Sequence, residues 1–212
     1  MTKFKQIFLI SLVFILSIVV STLYLDRPIA LFMHSSGLDG LLQLRCITEY
    51  LPYIMALVAV LIIGLNKSFI SWQQKLVMGI YFYLSLVLTI WINGGLKVIF
   101  GRYWPKTWIH HNLSLISNNV YGFNFFHGSA IIGSFPSGHS TCTAFCVIWM
   151  MTLLQKWRVG FIVIGMMVPI GLIILDYHFL GDCLAGILFG GIFAAMSIAL
   201  YSFLIRRNVV LV

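Results

Sequence analysis

The sequence predicts an all-α membrane protein: a six-transmembrane-helix bundle with a folded outer loop between spans 3 and 4. Composition is the first reason. Of 212 residues, 61% are hydrophobic and 8% charged, and mean hydropathy is +1.03, whereas soluble domains run at roughly 45–50% apolar and about 25% charged. Second, the apolar residues fall into runs of bilayer-crossing length, about 20 residues each. Third, the 13 Lys and Arg sit in ones and twos at the ends of those runs. Six spans use roughly 120 residues, so the chain reads as a single domain over 1–212.

Residues 6 to 25 follow Lys3 and Lys5 as a signal peptide would, but the run is long and lacks a small-residue cleavage site. It reads as an uncleaved first span. Residues 29 to 45 are interrupted by Ser35, Ser36 and Gly37, which fits an interfacial segment better than a span. Further spans are expected at 47–65, 76–96, 139–155, 159–176 and 179–204.

Six spans put both termini on one side. Lys3, Lys5, Lys67, Lys75, Lys156, Arg158, Arg206 and Arg207 then lie on the terminal side, and Arg27, Arg45, Lys97, Arg102 and Lys106 lie opposite. The excess predicts cytoplasmic termini, in a bacterial inner membrane. Three of the opposing cations open the longest loop, roughly 97–137, where function is expected.

The net charge of +8 does not point to nucleic acid, because no basic stripe follows a phosphate backbone. Cys46, Cys142, Cys146 and Cys183 have no C-x-x-C spacing and read as buried free thiols. His110, His111 and His127 are irregularly spaced in a loop without a carboxylate, so neither a metal nor another cofactor is expected. Of the sequons at Asn66 and Asn112, the first falls on the cytoplasmic side.

Three segments carry chemistry. In GSFPSGHST, Pro136, Ser137 and Gly138 precede an apolar helix. Such a start is a capping sequence, and its free N–H groups also suit an anion, with His139 facing it. In HFLGD, Asp182 follows His178 by four positions, so both fall on one helix face. The pair is either a structural bond or a carboxylate that fixes the imidazole tautomer for a base or nucleophile. Near a bilayer, ionisable groups usually face a polar cavity. Lys97 and Arg102 are snorkelling cations or a phosphate clamp. Together the segments describe phosphoryl-group chemistry.

In order and spacing these segments resemble the phosphatidic acid phosphatase type 2 superfamily of membrane lipid phosphatases. PSGH at 136–139 matches its central motif, HFLGD its third, and KVIFGRYWP at 97–105 its first. The resemblance implies a six-helix bundle in which His178 attacks phosphorus to form a phosphohistidine and Asp182 orients it. His139 would protonate the leaving oxygen, while Lys97, Ser137 and Gly138 hold the phosphate. Water would complete hydrolysis without a metal ion.

Two arginines of the family pattern are replaced, by Trp104 and Leu172. At about 1.5–3 kcal/mol for each charged hydrogen bond, their loss removes roughly 3–6 kcal/mol of phosphate binding. Arg102 is the expected replacement and Lys106 the next nearest cation. Asp176 either raises the basicity of His178 or ends the fifth span. The expected partner is a phosphorylated lipid of the polyprenyl pyrophosphate, phosphatidylglycerol phosphate or lipid A type. A lipid phosphotransferase and a non-catalytic lipid-binding or transport protein remain alternatives.

Overall fold

The computed structural model describes residues 3–65, 71–108, 111–129 and 133–206. Asn66, Lys67, His110 and Arg207 lie outside them. Helix α1 (Lys3–Val20) runs through a π turn (Ser21–Leu25) into α2 (Asp26–Ser35), giving a continuous apolar rod over Phe8–Ser35. Pro28 supplies no N–H to the ladder, and the wider turn before it accommodates that loss. The expected interfacial segment is therefore corrected. Its first part prolongs the first helix, Gly37 turns the chain at φ 70°, and a 3-10 turn (Leu38–Gly40) leads into α3 (Leu42–Leu65).

Helix α4 (Trp72–Phe100) begins where the Ser71 side chain accepts from the Gln74 amide, and it ends at Gly101, whose N–H donates to Lys97 at 2.9 Å with φ 53°. After the short α5 (Leu115–Asn118) come α6 (Gly138–Leu153), α7 (Arg158–Ile174) and α8 (Leu180–Arg206). Five helical rods among the described residues are long and apolar enough to cross a membrane: the chain is an integral, multi-pass membrane protein. The expected fourth span is α6, but with 16 residues it reaches about 24 Å, short of the roughly 30 Å hydrocarbon core.

Helix α6 is central, packed by α3, α4, α7 and α8. Its Phe145, Cys146, Trp149 and Met150 meet Met55, Ala59 and Ile63 of α3 and Met78, Phe82 and Leu86 of α4. A helix apolar on all sides is either a core helix or a lipid-facing span, and the packing on four sides makes this one the core. Gly186 and Gly190 bring α8 against it: a Cβ at Gly186 would lie 2.6 Å from the Ser137 carbonyl, and one at Gly190 would clash with the Thr141 carbonyl. Small residues four apart permit this approach. Cys142, Cys146 and Cys183 are buried free thiols as expected; Cys46 is exposed, because it lies on the outward face of α3.

The segment after α4 folds back over its end. Arg102 bridges to Phe123 and Trp104 to Ser114, while the Phe126 and Gly128 amides donate to the Ile99 and Val98 carbonyls. These bonds satisfy carbonyls that a helix end leaves open.

Candidate active site

The buried face of α4 runs through Met78, Phe82, Leu86, Thr89 and Asn93; one further turn brings Lys97 onto the same face. Asn93 Nδ2 donates to Thr141 Oγ1 at 3.0 Å, tying α4 to the first turn of α6. Ser137 caps α6 by accepting from the Ser140 amide, and its own N–H donates to the Asp182 carbonyl at 3.1 Å. The PSGH segment is thereby fixed to α8.

His178 sits in the turn between α7 and α8, 3% exposed. Its Nδ1 faces Asp182 Oδ2 at 3.4 Å, which leaves Nε2 as the other ring position. Asp182 Oδ2 also accepts from the Phe179 amide at 3.1 Å. Burial pushes the His178 imidazole below its ordinary range; Asp182 opposes the shift, while Lys97 and Arg102 add to it. A neutral ring is the form that acts as a nucleophile.

A cavity of about 170 Å³ opens in front of this pair, lined by His139 and His178 together with Thr48, Glu49, Trp104, Trp108, Leu172 and Tyr177. The two substituted positions, Trp104 and Leu172, are both in its wall. The Trp104 and His178 rings stand 5.0 Å apart, and Lys97 Nζ lies 5.8 Å from the Trp104 ring centre. His139 of α6, His178 of the α7–α8 turn and Asp182 of the first turn of α8 thus come to one place, with Lys97 of α4 beside them. Two further cations stand at the wall but are engaged elsewhere, Lys106 over Trp108 and on Asp39, and Arg45 on Glu49.

Arg102 has other partners than the phosphate expected for it. Its side chain is fully buried; Nη1 donates to Asp182 Oδ1 and Nη2 to Asp26 Oδ2, each at 2.5 Å. Phe123 and Phe179 stack against the guanidinium. Asp26 is itself held by Ser21 Oγ at 2.5 Å and the Gly181 amide at 2.9 Å. Gly181 is required here, since a Cβ would stand 2.9 Å from Asp26 Oδ2. Lys106, the second candidate, donates instead to Asp39 at 2.6 Å. His111 and His127 do not line the histidine cavity.

Sequence reasoning missed Asp26, whose sign was a lone carboxylate at the end of an apolar span. It also missed Trp108, Tyr177, Thr48 and Glu49, which look like ordinary interface residues until the fold brings them to His178.

A family model for the PAP2 superfamily matches residues 78–206, the stretch holding Lys97, Arg102, PSGH and HFLGD. The chain belongs to the PAP2 superfamily. It is 28% identical over 134 residues to a lipid A 1-phosphatase of Rhizobium etli, covering 63% of this chain and 53% of that one. A lipid A 1-phosphatase of Rhizobium johnstonii is 26% identical over 134 residues, covering 63% and 50%. The match spans about half the length of these relatives. A crystal structure of a transmembrane PAP2-type phosphatidylglycerolphosphate phosphatase from Bacillus subtilis superposes with a TM-score of 0.45 at 15% identity, covering 95% of this chain and 97% of that one.

Proposed function

We propose that this PAP2 protein is a membrane lipid phosphatase that removes a phosphomonoester or pyrophosphate phosphate through a phosphohistidine. The observation that carries the reading is the buried His178–Asp182 pair facing the same cavity as His139. With Nδ1 turned to Asp182, Nε2 of His178 attacks phosphorus. The bond from phosphorus to the lipid oxygen breaks, and His139 gives that oxygen its proton. Water then attacks the phosphohistidine, His139 takes the water's proton, and phosphate leaves.

Lys97 and the Gly138 amide hold the phosphoryl oxygens, a cation and a helix start acting together, while the Ser137 N–H is engaged by the Asp182 carbonyl. The Ser137 hydroxyl serves chiefly as the helix cap. Arg102 and Asp26 position Asp182 from behind rather than binding phosphate. The mechanism asks nothing of a metal ion. The names of the Rhizobium relatives and the apolar cavity wall support a lipid substrate, whether polyprenyl pyrophosphate, phosphatidylglycerol phosphate or a lipid A phosphate. The chain is read as one domain over 1–212 with six spans, α6 included. Both termini are cytoplasmic and the site is on the outer face of a bacterial inner membrane.

The test is phosphate release from a panel of these lipid phosphates by detergent-purified protein beside His178→Ala. Release by the wild type alone is expected. No release from any substrate would refute the phosphatase, and release by both would refute the nucleophile. The largely aromatic and aliphatic wall also suits transfer to a second lipid's hydroxyl, which phosphate on an added acceptor lipid would reveal.

A further inference from the structure

A second polar cluster lies beside the histidine cavity. His34 near the end of α2, Asp39 in the 3-10 turn and Asp176 in the α7–α8 turn each bring one ligand atom within 4.8 Å of the others. His34 Nδ1 is 2.9 Å from Asp39 Oδ2, and Lys106 donates to that same oxygen.

Asp176 is the unusual member. It is 1% exposed, and both of its carboxylate oxygens lack a hydrogen-bond partner among the described residues. Its backbone sits at φ 53°, the left-handed position at which a helix commonly ends. A buried polar atom without a partner calls for a proton, a water or an ion.

Geometry favours an ion. Ligand atoms bonded to one cation at about 2.0–2.4 Å lie no more than about 4–4.8 Å apart, the limit these three atoms meet. Lys106 sits on Asp39 rather than on Asp176, and its partly exposed ammonium already lies 5.0 Å from the Trp108 ring centre. It has a place to go when a cation enters.

The geometry points to a divalent-cation site formed by His34, Asp39 and Asp176, with Zn²⁺ or Mn²⁺ matching one imidazole nitrogen and two carboxylates. The ion joins the N-terminal rod to the α7–α8 turn, two residues before His178. Trp108 connects it to the cavity, donating from Nε1 to the Asp176 carbonyl at 3.0 Å while lining the cavity wall. Its role is to fix this rim and add positive charge where an anionic head group enters.

The test is calorimetric titration of the chelator-treated, detergent-purified full chain with Zn²⁺ or Mn²⁺ alone, followed by thermal unfolding. One ion per chain is expected, with Tm raised by roughly 5 °C at a hundredfold excess over Kd. Asp176→Asn, which keeps shape, and His34→Gln, at an exposed side chain, should each lose both responses. No saturable binding in the wild type would overturn the proposal, as would equal binding in the variants. A higher Tm for Asp176→Asn without any wild-type response would also overturn it, assigning the carboxyl to a proton. No substrate is present, so the result is separate from the phosphate-release test of His178.

Discussion

Arg102 lies fully buried between two carboxylates, and breaking such a buried set by removing one member typically costs about 3–5 kcal/mol. Arg102→Ala should therefore lower Tm sharply and abolish phosphate release. Asp26→Asn is the finer probe, because it keeps the shape and weakens only the hold on Arg102. Its kcat should fall about tenfold to a hundredfold with KM little changed, as steady-state phosphate release would measure; an unchanged kcat would remove Asp26 from the positioning set. Trp104→Arg, which puts a cation into the wall beside His178, should tighten inhibition by inorganic phosphate about tenfold or more, the worth of one charged hydrogen bond. At this scale the sequence was readable where chemistry is local: His178 and Asp182 are one helical turn apart, and PSGH is contiguous. Asp26 and Arg102 are 76 residues apart, and nothing in their spacing announces that they meet. Arg102 was recognised as important but given the wrong neighbour, because a sequence shows that a cation is present and not which anion it faces.

Among the elements, Gly190 and Gly191 offer a paired test. Both stand in α8, but an added Cβ at Gly190 meets α6 backbone whereas one at Gly191 meets nothing within 4 Å. Gly190→Ala should destabilise by about 1–3 kcal/mol through overpacking. Gly191→Ala should be neutral or slightly stabilising, with thermal unfolding in one detergent as the common measurement. The starts and ends of α4, α6, α7 and α8 were legible within a few residues, since apolar runs bounded by Ser, Gly and Lys leave few choices. The segment at 29–45 was misread because a π turn carries the first helix through Pro28, and a sequence containing proline and Ser-Ser-Gly gives no sign of that continuity. The central position of α6 was hidden too. Its uniform apolarity fits a lipid-facing span as well as an enclosed one, and only packing against four helices distinguishes them.

Across the whole molecule, all five acidic residues, Asp26, Asp39, Glu49, Asp176 and Asp182, gather around one end of the bundle. Asp26 and Asp182 hold Arg102, Asp39 and Asp176 stand together, and Glu49 lines the histidine cavity. In a chain this apolar, such a gathering marks the end where charge has work to do. The proposed orientation puts that end outside. With Cys46→Ser as background, Ser117→Cys should react with an impermeant thiol reagent in intact cells and Lys156→Cys only after lysis; the reverse pattern would invert the topology. The central claim concerns His178 and is tested most directly by trapping its intermediate. Rapid denaturation of the protein during turnover of a lipid bearing radiolabelled phosphate should leave label on the chain that is stable to alkali and lost in acid, and His178→Ala should carry none. Labelling of equal extent in His178→Ala, or turnover by the wild type without any bound label under conditions that slow dephosphorylation, would contradict the account.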